Sequence, residues 1–176
     1  TTYETFENLL RRSPKSLILS NDAVKIICRN RYLLSRLPEN SVLILEVEDF
    51  KELTDYDREI RFSNDFERLE ALRKFAARYK IVVVFKAGTT YTILPNGEIY
   101  FNLTGNTGLV TAGTDPILTG MITSFASQGY ETWQAAVLAI YLQGIAADMI
   151  ALKKGTFGWV ASELLDYIGA GISKLV

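Results

Sequence analysis

Apolar residues along this chain fall into two rhythms, and the places where one gives way to the other outline its elements. Continuous apolar runs of strand length occur at SLILSND (16–22), SVLILEV (41–47) and IVVVFKAG (81–88), each flanked by turn formers or charge. Such runs predict strands buried on both faces. Between them the period is helical. The stretch YETFENLLRRS predicts a first helix that ends before Pro14. Residues 22–36 carry Ala23, Ile26, Ile27, Tyr32 and Leu33 at helical spacing, and a short helix is expected over about 49–54, followed by a polar connection. The segment 64–79 places Phe66, Leu69, Leu72, Phe75 and Ala76 on one stripe. Strands alternating with helices predict an α/β fold with a mainly parallel sheet and helical crossovers.

After residue 88 the pattern changes. TTYTILPNGEIYFN (89–102) is two alternating runs around Asn96-Gly97, a hairpin signal because both residues tolerate positive φ. Three helices are then predicted, at about 116–128, 131–152 and 159–174, with Gly155 and Gly158 breaking the last two apart. The middle one presents Trp133, Ala136, Val137, Ile140, Tyr141 and Ile145 at helical spacing. Its length approaches that of a membrane span, but Gln134, Gln143 and Asp148 interrupt it, so a buried core helix and no membrane partner are expected.

Composition narrows the chemistry. With 48% apolar and 22% charged residues, the 176-residue chain reads as one folded domain. A net charge of −1 argues against nonspecific nucleic-acid binding, which needs a basic surface. One cysteine, Cys28, allows no internal disulfide, and its neighbours Ile26 and Ile27 predict a buried, inert thiol. A cytoplasmic protein is expected. The absence of histidine excludes Ser/His/Asp and Cys/His nucleophiles and imidazole metal sites. Only 10 of the 39 charged side chains lie in residues 81–176.

One segment carries candidate chemistry. GNTGLVTAGTDPILTG (105–120) opens like a phosphate cradle, with Gly105, Gly108 and Gly113 ahead of an apolar helix. Backbone N–H groups at a helix start bind anions because they are unpaired and aligned with the macrodipole. Asp115-Pro116 complicates this: aspartate can cap the first turn and proline suits the first helical position. The carboxylate would occupy the donors a phosphate needs and repel it, and proline removes one donor. A capped helix and an anion site with Asp115 as a shifted base are the two readings. Lys86, at a strand end, can meet a phosphate as a point charge or simply snorkel. Glu46, Glu48 and Asp49 allow a divalent metal or a solvated acidic loop.

The order of these features resembles the ADP/ATP-dependent NAD(P)H-hydrate dehydratases of the ribokinase-like superfamily. The residues that carry the likeness are Lys86, Gly88 and Thr90, then Gly105, Asn106, Gly108, Thr111, Gly113, Thr114, Leu118, Thr119 and Gly120. Ala135, Ala136, Leu138, Tyr141, Leu142, Gly144, Ala146 and Asp148 follow, with GWVASELL near the end. The resemblance implies a three-layer ribokinase-like fragment over 1–176, matching the later part of a family member, with the family's glycine-rich N-terminal portion absent. It implies ADP or ATP as cofactor, with Mg2+ allowed alongside, and hydrated NADH and NADPH as substrates in metabolite repair. Lys86, Gly88, Thr90, Asn106, Gly108, Gly113 and Thr114 would hold the nucleotide, and Glu46 and Asp49 the substrate.

Departures cluster at the functional positions. The family's Gly-Asp pair, whose aspartate is catalytic, falls on Asp115-Pro116; a histidine and a glutamate of its substrate segment fall on Glu46 and Asp49. An aspartate and an asparagine upstream are Ser20 and Lys25, and a histidine in the long helix is Gln143. An impaired or inactive dehydratase is therefore expected, with a non-catalytic scaffold as the alternative. A sheet edge left uncovered, together with the low charge of residues 81–176, predicts a homo-oligomer.

Overall fold

A computed structural model describes residues 2–12, 15–55 and 62–175. Pro14 and most of the polar connection after Thr54 lie outside the described residues. The chain divides into two compact units, Thr1–Phe101 and Asn102–Val176.

The first unit is a five-stranded sheet with helices. In chain order it runs α1 (Thr2–Arg11), β1 (Ile18–Leu19), α2 (Asp22–Arg29), β2 (Val42–Glu46), α3 (Val47–Thr54), α4 (Asp65–Tyr79), β3 (Val82–Lys86), β4 (Thr90–Ile93) and β5 (Ile99–Phe101). Spatial order follows sequence order, β1-β2-β3-β4-β5. β1, β2 and β3 are parallel, with Leu43 opposite Val83 and Leu45 opposite Phe85; β3–β4 and β4–β5 are antiparallel. Because side chains alternate along a strand, Leu43, Leu45, Val83 and Phe85 share one face. There they join Phe50 of α3, Leu72 and Phe75 of α4 and Ile27 of α2 in a single core. Val42, Ile44, Val82 and Val84, on the other face, are also buried. Both faces are covered, which is why these strands read as unbroken apolar runs.

Several details differ from the sequence reading. The 22–36 helix is two pieces, α2 and a 3-10 helix at Arg31–Arg36. Asn30 marks the break: its Nδ2 donates to Ile26 O (3.0 Å), and its backbone leaves helical geometry at φ −136°. Phe66 is 74% exposed. At about 100° per residue it lies roughly 120° around α4 from Leu72, outside the stripe centred on Leu72 and Ala76. In the hairpin, Gly97 has positive φ (87°) and Asn96 does not. Gly97 N–H donates to Leu94 O, Leu94 N–H donates to Glu98 O (both 2.9 Å), and Asn96 Oδ1 accepts from Glu98 N–H. This is a three-residue connection with a glycine bulge, in which asparagine braces the strand start and glycine alone takes the left-handed position. The 16–22 run contributes only two paired residues.

The second unit is helical: a 3-10 helix at Thr107–Val110, α5 (Thr114–Ser127), α6 (Thr132–Lys154), a 3-10 helix at Ala161–Glu163, and α7 (Leu164–Ile172). At the start of α6, Glu131 N–H donates to Gln134 Oε1 at 3.1 Å, one half of a capping box. Gly155, with φ 82°, ends it. By length and hydropathy α6 passes as a membrane span, but 56% of its most apolar stretch is buried within the protein. Ala146, Ala147 and Ile150 pack on Trp159 and Leu164, as expected of a core helix. The third predicted helix begins at Leu164 rather than 159, because Glu163 Oε1 accepts Val160 N–H and tightens the entry into a 3-10 turn.

Candidate functional site

In the first unit, Glu46 at the carboxyl end of β2, Lys86 at that of β3 and Thr90 at the start of β4 stand in one row. Glu46 is the register partner of Lys86 across the parallel pair, and Lys86 that of Thr90 across the tight β3–β4 connection. Cross-strand partners project to one face, so the three side chains share it. Lys86 Nζ lies 3.9 Å from Glu46 Oε1, with both side chains partly exposed, a pairing worth at most about 1 kcal/mol. A Cβ on Gly88 would meet nothing within 4 Å, so the fold itself does not require glycine there. Carboxyl ends of parallel strands are where α/β sheets bind ligands.

Glu46 and Asp49 have a local duty. Asp49 Oδ2 accepts Glu46 N–H at 3.0 Å, one half of a capping box, and this bond marks the start of α3. The helix therefore begins at Val47, two residues before the expected start. Among the described residues no group of three carboxylate or thiol side chains is arranged to hold a metal.

In the second unit, residues 104–114 form a loop fastened at both ends to α6. Thr104 Oγ1 lies 3.0 Å from Tyr141 O. Gly105 N–H donates to Asp148 Oδ2 (2.9 Å) and Asn106 Nδ2 donates to Asp148 Oδ1 (2.8 Å). Asn106 Oδ1 then accepts Gly108 N–H at 3.0 Å, capping the 3-10 helix. Tyr141, Gly144 and Asp148 follow a three-then-four spacing and form one stripe along α6. At Gly144 a Cβ would stand 2.1 Å from Thr104 Oγ1, so glycine lets the loop lie against the helix. At the far end, Gln143, only 7% exposed, donates from Nε2 to Thr114 O at 2.8 Å, and Thr114 Oγ1 donates to Leu109 O at 3.0 Å.

The glycines of the loop divide by role. Gly105 (φ 98°) and Gly113 (φ 96°) take left-handed conformations. Gly108 has no room for a side chain, since a Cβ would stand 2.5 Å from Trp159 Cζ2 and 2.7 Å from its Nε1. That indole N–H is buried without a hydrogen-bond partner.

The start of α5 corrects the capping expectation. Gly113 is the cap, with no side-chain hydrogen bond, so Asp115 is the second helical residue and Pro116 the third. Proline is tolerated because none of the first-turn N–H groups has an intrahelical acceptor. Thr119 Oγ1 donates back to Asp115 O at 2.9 Å. Asp148, Thr104 and Gly144 carry the loop geometry without having been singled out as site residues, and Gln143, noted as a departure from the family, joins them. A readable signal existed for one of them: Gly-x-x-x-Asp on a helix puts a small residue and an acceptor one turn apart.

A mixed sheet whose parallel strands end at a lysine, and a glycine-hinged loop leading into a helix, define a ribokinase-like α/β class. A ribokinase-like superfamily protein from Enterococcus faecalis V583 superposes with TM-score 0.81 at 21% identity, over 98% of this chain and 58% of that one. The ADP/ATP-dependent NAD(P)H-hydrate dehydratase of Bacillus subtilis, co-crystallised with ATP/Mg2+ and soaked with CoA, aligns with TM-score 0.70 at 25% identity, over 80% of this chain and 51% of that one. The profile of the NAD(P)H-hydrate dehydratase family matches residues 2–170. The chain belongs to that family. Among curated relatives, a bifunctional NAD(P)H-hydrate repair enzyme of Thermofilum pendens is 28% identical over 96% of this chain and 32% of its own length. The ADP-dependent (S)-NAD(P)H-hydrate dehydratase of Neisseria meningitidis serogroup B is 39% identical over 56% of this chain and 33% of its own. The chain thus spans about a third of the length of these curated relatives.

Proposed function

We propose that this chain is a nucleotide-binding, ribokinase-like domain of the dehydratase family that does not turn over NAD(P)H hydrate. The observation that carries this reading is the first turn of α5. By resemblance, the family's catalytic aspartate falls on Pro116, which can neither accept a proton nor donate an N–H. Asp115 adds a carboxylate to the same turn. A phosphate oxygen within about 4 Å of it would be repelled by roughly 4 kcal/mol at an effective dielectric of 20. Asp115 is half-buried, so solvent reduces this to about 1 kcal/mol. That weakens ADP or ATP binding without abolishing it.

What supports retained binding is the rest of the candidate set. Lys86 and Thr90 occupy strand ends and Gly88 the connection between them in the first unit, and Gly113 opens the α5 N-terminus without a capping side chain. Asn106 and Gly108 act on loop shape, because the Asn106 carboxamide is engaged at both of its ends. ADP or ATP, when bound, would supply the phosphate that drives dehydration in the family; Glu46 and Asp49 are read as substrate contacts by resemblance only.

Calorimetric titration with ADP and ATP, with and without Mg2+, tests binding. Recovery of NADH absorbance from its hydrate tests turnover. Binding without turnover is expected, and Asp115→Gly should tighten ADP about fivefold to tenfold. Turnover at the level of a full family enzyme, or no gain from Asp115→Gly, would sink this reading. A titration without heat for either nucleotide would favour a non-catalytic, self-associating scaffold, for which the edge strands β1 and β5 and the exposed Leu152 and Phe157 speak.

A further inference from the structure

We propose that Asp148 is a positioning residue for the 104–110 segment, acting through a carboxylate–carboxamide clamp with Asn106. The loop's first two peptide units have no regular secondary structure to hold them. The Asp148 carboxylate supplies that hold by accepting one main-chain N–H, from Gly105, and one side-chain N–H, from Asn106. Both bonds are charge-assisted and therefore stronger than neutral ones. The second hands the constraint on, because the Asn106 carboxamide, fixed through Nδ2, presents Oδ1 to Gly108 N–H. Gly108 in turn is pressed against the indole of Trp159, which is 3% exposed. A carboxylate on α6 thereby sets the backbone from Gly105 to Gly108 from behind, leaving the segment's outer side to a ligand. That the ligand is a nucleotide rests on the function proposed above; the clamp does not.

The chemistry allows a demanding test, because the two side chains can be exchanged. Asp148→Asn leaves one acceptor facing two donors, and it sets two NH2 groups against each other. Asn106→Asp alone sets two carboxylates face to face. With both substitutions, the introduced carboxamide at 148 accepts from Gly105 N–H and donates to the introduced carboxylate at 106. The second oxygen of that carboxylate still accepts from Gly108 N–H. All three hydrogen bonds return: donor and acceptor are reversed between positions 148 and 106, while Gly105 N–H and Gly108 N–H donate as before.

Amide hydrogen exchange read by NMR at Gly105 and Gly108, with the β2–β3 ladder amides as internal reference, decides the matter. Asp148→Asn should accelerate exchange at Gly105 about tenfold to a hundredfold, and the double variant should return it near the wild-type rate. Unchanged exchange in Asp148→Asn would overturn the clamp. So would a double variant that is unfolded, or that is folded but exchanges as fast as the single one. ADP titration into the same proteins separates the two ideas. A wild type that binds no ADP refutes the nucleotide reading while exchange still decides the clamp. If the wild type binds, Asp148→Asn should weaken ADP about tenfold. Faster exchange with unchanged affinity would reduce Asp148 to a structural residue.

Discussion

Gly144→Ala sets helix propensity against the close approach of the loop, and the two give opposite signs. Gly144 is in the interior of α6, where alanine is normally worth about 1 kcal/mol over glycine. The new methyl, however, would stand 2.1 Å from Thr104 Oγ1 and 2.7 Å from both the carbonyl carbon and Cβ of Thr104. Rotating the hydroxyl relieves the first contact and leaves the other two, so the backbone at 104 has to move. That motion breaks the 3.0 Å approach to Tyr141 O and strains the neighbouring Gly105–Asp148 bond. One neutral and one charge-assisted hydrogen bond together amount to about 3 kcal/mol. After the propensity gain, the net destabilisation is about 2 kcal/mol. Gly120 on α5 is the matched control: it is exposed, and a Cβ there meets nothing within 4 Å. Gly120→Ala should stabilise by roughly 0.5–1 kcal/mol. Urea unfolding followed by far-ultraviolet circular dichroism, with equal m-values required, measures both. If Gly144→Ala proves as stable as the wild type while Gly120→Ala stabilises, the 104–106 loop does not lie on α6 and the clamp argument goes with it.

Two further outcomes follow from the first unit. Burial, reinforced by Glu52 and Asp49, pushes the Cys28 thiol up to about 12 from 9.0. Below pH 9 both folded and unfolded states hold the proton; above it the unfolded chain ionises first, so stability should fall as pH rises from about 9 to 12. Native protein at pH 8 should resist iodoacetamide and label once unfolded; rapid native labelling would contradict the burial. Phe50 sits among Phe62, Phe75 and Phe85 at ring distances of 5.4, 5.5 and 5.8 Å. Phe50→Ala should cost about 3–5 kcal/mol in denaturant unfolding, and a loss below about 1 kcal/mol would mean that these rings do not form the core.

How much of this was legible in the sequence depended on the range of the interaction. β2 and β3 were readable because burial on both faces writes itself as a continuous apolar run. The hairpin was readable from Asn96-Gly97, but its turn type was not, because it depends on which residue takes the positive φ. Phe66 misled because spacing alone does not fix the centre of a stripe; only the packed partners, Leu72, Phe75 and Ala76, do. Asp115 misled for a related reason. Whether a residue caps a helix or sits in its first turn depends on the φ of its neighbour, here Gly113 at 96°. Asp148 was the hardest to see, since its two loop partners are 42 and 43 residues away and no local pattern spans that gap.

That distinction bears on what the family motif means in this chain. Gly105, Asn106, Gly108, Gly144 and Asp148 carry much of the resemblance, and each has a complete structural reason to be what it is. Gly105 takes a left-handed turn, Asn106 bridges Asp148 and Gly108, Gly108 makes room for Trp159, and Gly144 makes room for Thr104. Changing any of them disturbs packing, so they are held by stability whether or not a ligand binds. Positions 115 and 116 are different. Asp115 is half-buried, Pro116 is exposed, and the first turn tolerates both without losing a helix hydrogen bond. The helix ladder therefore places little constraint on the two residues that the proposed function makes decisive. A chain can keep the family's loop intact while its reactive turn changes. For that reason the motif reports the shape of the loop, and the proposed loss of turnover is tested at Asp115 and Pro116.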